Sequence, residues 1–478
     1  MTPSSPARHG RALPVLIVLA LVVVAILAGT AYFLAPRFES APPQITLTPE
    51  AKAIGLAPIE VRLADAGAGL KSYKLTLTQG GTEHALAAEQ LAKPVAEKSI
   101  TIAPGKVQGL KEGPATLRIS ARDASLAGFF KGNEAVLERQ LAIDLTPPVL
   151  ELVADDRYVN FGGAGALVYK ASPDTVASGV KFGDQVFPGY AGQVKGHPDY
   201  YIALFAHPYN VPANARPTLF ATDAAGNTRE MRVAYELKDV RYRKSTIALS
   251  DAFLQNKVAP LLADPAKRQG SAQEVFTAVN KDLRKDNEAR ITAVTSKGTA
   301  TRQWDGAFAQ LSNSKVEANF ADERTYTYNG APINTAYHVG YDLSVTKQIP
   351  IEAANAGTVV FTGDLGIYGN TVILDHGLGL FTLYSHLSSI DVKDGQAVTK
   401  RQIIAKSGET GLAAGDHLHY GVYLAGVPVL PVEWWDQKWI DDNLAPKLEG
   451  RSGQEIAEAQ SHRKAKAAAH KPAAKRKR

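Results

Sequence analysis

Residues 12–35 contain no charged side chain, and their centre reads LPVLIVLALVVVAILAG. About 20 apolar residues in a helix cross the hydrocarbon core of a bilayer, whereas a helix on a soluble core keeps a polar stripe. Arg8 and Arg11 precede the run. Basic flanks stay inside, so the short N-terminus is expected in the cytoplasm and everything after residue 40 outside it. A cleaved signal peptide, for which Gly29-Thr30-Ala31 gives a weak cleavage signal, fits less well, because the run exceeds the usual apolar region of about 7–15 residues. The expectation for 1–40 is a cytoplasmic stub and a single uncleaved transmembrane helix.

The chain has 478 residues and no cysteine, which excludes disulfide frameworks, thiolate metal sites and cysteine nucleophiles. Its net charge of +6 is concentrated at the ends. Residues 462–478 carry eight Lys/Arg and no acid, and with Arg8 and Arg11 also set aside the remaining chain is net negative. No nucleic-acid partner is expected for such a body. The Ala/Lys/Arg-rich stretch 455–478 lacks apolar surface to bury and reads as a basic, disordered tail with affinity for anionic polymer or lipid headgroups.

Pro42-Pro43 and Pro147-Pro148 precede two stretches with alternating apolar residues, among them 59–63, 73–78, 115–121 and 217–221. Turn residues at 65–67, 80–81, 104–105 and 223–227 separate these strands. The spacing suits two β-sandwich modules, 42–146 and 147–238. ATDAAGNT at 221–228 weakly resembles the end of bacterial immunoglobulin-like domains. His197 and His207, each directly before a proline, read as solvated loop residues. Ser271 and Glu274 form a capping-box pattern ahead of Val275, Phe276, Val279 and Leu283 at helical spacing. An earlier helix is expected over 251–262, so 245–300 reads as a helical connector.

Five of the eleven histidines fall between 338 and 419. His338 and Asp342 are four apart, so in extended chain they share a face. In LFTLYSHL at 380–387, alternation puts His386 with Leu380, Thr382 and Tyr384. In HLHYGVY at 417–423 it puts His417, His419, Gly421 and Tyr423 on one face, and Leu418, Tyr420 and Val422 toward the core. Two histidines two apart on a strand project in parallel from backbone positions about 7 Å apart. One can ligate a metal while the other stands beside a nucleophilic water, and the spacing leaves open which does which. His338 and Asp342 would complete a His₂Asp set, which suits catalytic zinc with one open position. Remaining histidines would move protons. Asp375-His376-Gly377 ends a Val/Ile/Leu strand, and His376 reads as structural.

These motifs resemble the M23 zinc metallopeptidases, the lysostaphin/LytM-type cell-wall endopeptidases. The resembling segments are HVGYD (338–342), AANAGTVVFTGD (353–364), IYGNTVILDHGLG (367–379), TLYSHLSSIDVKDGQAV (382–398), SGETG (407–411) and GDHLHYGVY (415–423). The resemblance implies a compact antiparallel β domain over 301–445 with its site in a groove. It implies one zinc per chain held by His338, Asp342 and His419, with His386 and His417 as the catalytic pair. Two positions depart from the family pattern: Gly421 stands where many members have Glu, and Arg324-Thr-Tyr326 where many have Arg-x-His-Pro. Tyr326 or Tyr328 is a candidate for the family's oxyanion-stabilising hydroxyl.

The expected protein is mainly β: a transmembrane helix, two immunoglobulin-like β-sandwich modules, a short helical connector and a C-terminal metallopeptidase domain. Its expected function is hydrolysis of peptide cross-links in bacterial peptidoglycan. Its expected place is the inner or cytoplasmic membrane, with the C-terminal domains periplasmic, peptidoglycan stem peptides as partner, and no protein partner specified. The alternatives are a non-catalytic scaffold of the same fold that binds cell wall or activates another hydrolase, and a lipoyl-like carrier suggested by AANAGTVV and VKDGQAV.

Overall fold

The computed structural model describes residues 12–34, 38–50, 52–126, 131–344 and 346–469. The expected stub at 1–11 and the end of the expected tail at 470–478 lie outside them. The chain is mainly β, with 44% strand and 20% helix. It divides into two compact units: residues 1–147 with 222–228, and the remainder.

Ala12–Leu34 forms a 23-residue helix. Its side chains are described continuously over 17–30, a rise of about 21 Å. Among the described residues no helix is long and apolar enough to cross a membrane.

In the first unit, one sheet joins Gln44–Thr48, Ile59–Ala64 and Glu97–Ile102. A five-stranded sheet runs Ala53–Ile54, Glu134–Ile143, Gly113–Asp123, Leu70–Gln79 and Thr82–Val95. Alternation works as the sequence indicates. Ile59, Val61 and Leu63 point inward, and Leu75, Leu77, Leu117 and Ile119 from the other sheet meet them in one core.

The second unit opens with a sheet of Tyr190–Ala191, Tyr200–Ala206, Ala164–Ala171 and Leu150–Ala154. His207, expected in solvent, is fully buried against the Phe161, Phe182 and Tyr235 rings, with Nδ1 2.7 Å from Tyr235 Oη. The flanking Pro208 suggested a loop, but the backbone of His207 bonds both Gly162 and Gly163 and holds the ring inside.

The next segment opens with a strand and not a helix. Lys244–Leu249 pairs in parallel with Asp322–Tyr328, which pairs antiparallel with Ala331–His338. Helical turns follow over 251–261 and 272–295, the latter opened by the Ser271–Glu274 capping box. Leu254–Val258 and Ala278–Leu283 are π-helical. Beyond lies an antiparallel sheet in the order Lys315–Ala318, Tyr341–Ser344, Leu418–Leu424, Leu380–Leu387, Asn370–Asp375, Gly357–Asp364, Ala397–Val398, with Val427–Val429 against Leu418–Leu424.

This sheet is buried on both faces. Tyr384, Tyr420 and Val422 pack into a core that also takes Trp304, Phe308 and Trp434. Phe381, Leu383 and Tyr423 pack into another with Phe276, Val279 and Ile291 from the helical segment. Each such buried side chain contributes about 1.5–3 kcal/mol relative to exposure, so the helical segment is bound to the sheet by its own apolar stripe. The expected tail also departs from expectation: Gly453–Ala469 is a helix. Ser452 and Glu455 cap it reciprocally, and Ile456 buries in the core, which supplies the apolar anchor that the composition of 455–478 appeared to lack.

Candidate metal centre

His338 ends one sheet and Asp342 lies in another. The chain leaves the first at Val339-Gly340 and enters the second at Tyr341, so the shared face expected of a continuous strand is replaced by a step between sheets. Gly340 permits that step. A Cβ there would lie 2.6 Å from His419 Cε1. Asp342 stands directly opposite His419 in the antiparallel register.

These three side chains converge. His338 Nε2, Asp342 Oδ1 and His419 Nδ1 form a triangle with every side 2.9 Å. Tetrahedral zinc needs donor atoms roughly 3.3 Å apart for bonds of about 2.0–2.2 Å, so a few tenths of an ångström separate this triangle from a ligand set. The tautomer also fits. A backbone carbonyl only accepts, so the 2.9 Å contact from His338 Nδ1 to Asn319 O fixes the hydrogen there and leaves the Nε2 lone pair facing the triangle. Among the described residues, His338, Asp342 and His419 form one of the groups that could hold a metal ion.

His386 reaches the same place against the alternation of its strand. Ser385 and His386 together oppose Thr371, a bulge in the pairing with Asn370–Asp375. His386 itself has φ +62°, a left-handed backbone that a non-glycine residue seldom adopts. The expected grouping with Leu380 and Tyr384 is therefore wrong. The bulge turns the His386 ring toward the other face, with its centroid 4.7 Å from His417 and 5.9 Å from His419. His386 Nδ1 donates to Thr410 O and His417 Nδ1 to Gly415 O, each at 2.8 Å, so both keep Nε2 as the basic atom. His417 Nε2 lies 3.6 Å from Asp342 Oδ1.

The two rings differ in basicity. Burial, together with His417 and His419, pushes His386 down to about 3. Burial also pulls on His417, but the Asp342 carboxylate outweighs it and raises that imidazole above its ordinary value. Burial acts to raise the Asp342 carboxyl; the surrounding imidazoles, His338 foremost, reverse this and hold it well below the usual range.

Several contributors were not marked by the sequence patterns. Arg324 donates from Nη2 to Asp342 Oδ2 at 3.1 Å and lies 3.6 Å from Asp322 through Nε, orienting the carboxylate from behind. Its place in the departed Arg-x-His-Pro motif was the available signal. Tyr326 lines the cavity, but Tyr328 does not; its hydroxyl is engaged by Asp251 at 2.6 Å. Trp434 and Trp435 are packing residues, against Trp304 and Phe308 and against Tyr341 and Tyr420 respectively. His376 is remote, its nitrogens bonded to Ala356 O and Thr382 Oγ1. The four other histidines and Asp342 line a cavity of about 380 Å³ that also takes Arg284, Arg324, Tyr326 and Tyr368. A larger cavity of about 830 Å³, between residues 192–198 and the helix Gln437–Asn443, holds none of them.

Comparison with known proteins places this geometry. Peptidase family M23 matches residues 336–431. The chain is similar to DD-carboxypeptidase/endopeptidase Mpg of Neisseria meningitidis serogroup B, 39% identical over 95 residues, 20% of this chain and 22% of that protein. It is similar to Peptidoglycan DD-endopeptidase ShyA of Vibrio cholerae, 36% identical over 115 residues, 24% and 26% of the two chains. The matched region spans about a quarter of the length of these relatives. The catalytic domain of lysostaphin from Staphylococcus simulans is 27% identical over 27% of this chain and 98% of that one, with a TM-score of 0.24. The resemblance drawn from the histidine and aspartate motifs thus stands: at residues 336–431 the chain carries a domain of peptidase family M23.

Proposed function

We propose that this chain is a membrane-anchored zinc endopeptidase that hydrolyses peptide cross-links of bacterial peptidoglycan outside the cytoplasm. The observation that carries the reading is the 2.9 Å triangle of His338, Asp342 and His419 with two further imidazoles beside it. In this reading the triangle holds one zinc per chain. When bound, zinc supplies Lewis acidity toward a carbonyl oxygen and toward water. His417, the more basic of the remaining pair, accepts a proton at Nε2, and its Nδ1 bond to Gly415 O keeps that atom aimed inward. His386, its ring 4.7 Å from His417, presents a neutral Nε2 and orients the attacking water. Arg324 fixes the Asp342 carboxylate. Cell-wall substrate is supported by the relatives named as peptidoglycan DD-endopeptidases. The anchor rests on the uncharged apolar run at residues 12–35.

The test is mass spectrometry of purified wall fragments incubated with the zinc-loaded chain. New peptide termini should appear, and a chelator should suppress them. His417→Ala should keep zinc and cut turnover by on the order of 10²-fold or more, whereas Asp342→Ala should lose zinc. Intact fragments despite bound zinc would favour the scaffold alternative. The anchor is checked by alkaline extraction of membranes: the full chain should stay in the pellet, and a chain beginning at residue 40 in the supernatant.

A further inference from the structure

The matched family domain begins only after the helical segment, yet that segment contributes a cation to the candidate metal cavity. Arg284 sits at the junction between the π-helical turn Ala278–Leu283 and the helix Arg284–Thr295, and it lines the cavity with His386, His417 and His419. π-helical turns recur at functional sites because they displace a side chain from regular spacing.

The guanidinium is held but not used up. Nε donates to Asn280 O at 3.1 Å and Nη2 to Asn280 Oδ1 at 2.8 Å. Asn280 is itself buried and donates to Asn334 Oδ1 at 3.0 Å, on the strand that ends in His338. Nη1 forms a loose ion pair with Glu288 at 4.0 Å, beyond hydrogen-bond reach, so its N–H groups stay available. Arg324 differs: it is committed to Asp342 and Asp322. Beside Arg284 lies a buried hydroxyl. Tyr368 Oη lines the same cavity. Burial and then the Glu288 carboxylate raise it, and Arg284 acts in the opposite direction by its charge and by hydrogen bonding, which marks the two as neighbours.

A fixed guanidinium with N–H donors to spare, beside a buried hydroxyl, is a receptor for a planar anion. The anion that a peptide offers is a carboxylate. We propose that Arg284, assisted by Tyr368, binds a free carboxylate of the substrate peptide, so that the helical segment before the family domain selects which peptides are cleaved. This rests on the endopeptidase reading.

The test uses the full zinc-loaded chain and two cross-linked peptides that differ only in whether the carboxylates beside the cross-link are free or amidated. The unaltered chain should prefer the free acid by on the order of 10- to 100-fold in kcat/KM, carried by KM, the scale of a charge-assisted bond. Arg284→Gln should bring the ratio near one, and Arg284→Lys should restore part of it. Both substrates meet the same folded fraction, so partial misfolding leaves the ratio intact. Equal cleavage by the unaltered chain, or a full preference kept by Arg284→Gln, overturns the assignment and leaves the peptidase reading standing. Cleavage of neither peptide overturns both.

Discussion

The two compact units differ in where their ion pairs lie. In the first, ion pairs lie on the solvent faces of strands. Arg118 faces Glu138 and Arg122 faces Glu134 in direct cross-strand register, and the Arg118 and Glu138 side chains are each more than half exposed. In the second, charges are taken inside. Lys447 and Asp156 pair with side-chain exposures of 1% and 5%, and Asp342 sits among imidazoles; Glu433, buried against Asn160 and the Ala164 amide, is pushed up to about 8 and is held neutral. Exposed pairs contribute about 0–1 kcal/mol each, while a buried charge stripped of its partner costs several. The first unit also buries acids, Asp65, Asp123 and Asp223, but holds them with backbone amides, so its exposed ion pairs can be lost one at a time. Enclosed pairs such as Lys447–Asp156 depend on every partner, and the same enclosure strengthens electrostatics at the candidate metal centre.

The sharpest way to break this contrast is Lys447→Met. It leaves Asp156 uncompensated, and the second unit should lose about 3–5 kcal/mol. All four tryptophans, Trp304, Trp434, Trp435 and Trp439, belong to that unit, so their fluorescence in denaturant reports it alone. Unfolding at the unaltered midpoint would show that burial does not separate the two groups of charges.

A somewhat smaller effect concerns acid. Burial pushes His376 down to about 4. A free histidine takes a proton near ~6.5, so below that pH the unfolded chain binds a proton that the folded chain refuses. Stability from this group is complete above about 6.5 and is lost as the pH falls toward 4, by roughly 3 kcal/mol in all. His376→Gln should flatten the pH dependence of the tryptophan transition by up to one proton. An unchanged slope would assign the acid sensitivity elsewhere. The smallest effect is expected of Arg118→Ala, which should cost less than about 1 kcal/mol, read as near-unchanged amide exchange in the strand Gly113–Asp123. A large loss there would erase the distinction from the other side.

What the sequence made legible follows the same division. Strands of the first unit could be read because polar and apolar residues alternate on Ile59–Ala64 and Gly113–Asp123. The five candidate site residues were named from spacing and resemblance, and the structure gathers them around one cavity. Alternation fails where the chain is buried on both sides: on Leu380–Leu387 every residue is buried, and a bulge with a left-handed His386 reverses the expected face. A period of two carries no trace of one extra residue. Arg284 and Arg324 were hidden for another reason. A lone arginine on a helix or strand looks like solvated surface until the chain opposite it is known. Lys244–Leu249 was hidden because strand residues next to a capping signal are drawn into the neighbouring helix.

That strand has a mechanical consequence. Lys244–Leu249 lies parallel to Asp322–Tyr328 through six registered residue pairs, and the next strand carries His338. A pull along the axis of Lys244–Leu249 loads those contacts together in shear, as a lap joint is loaded, and does not peel them apart one by one. Tension arriving from the N-terminal side would therefore meet its firmest resistance one strand away from the metal centre.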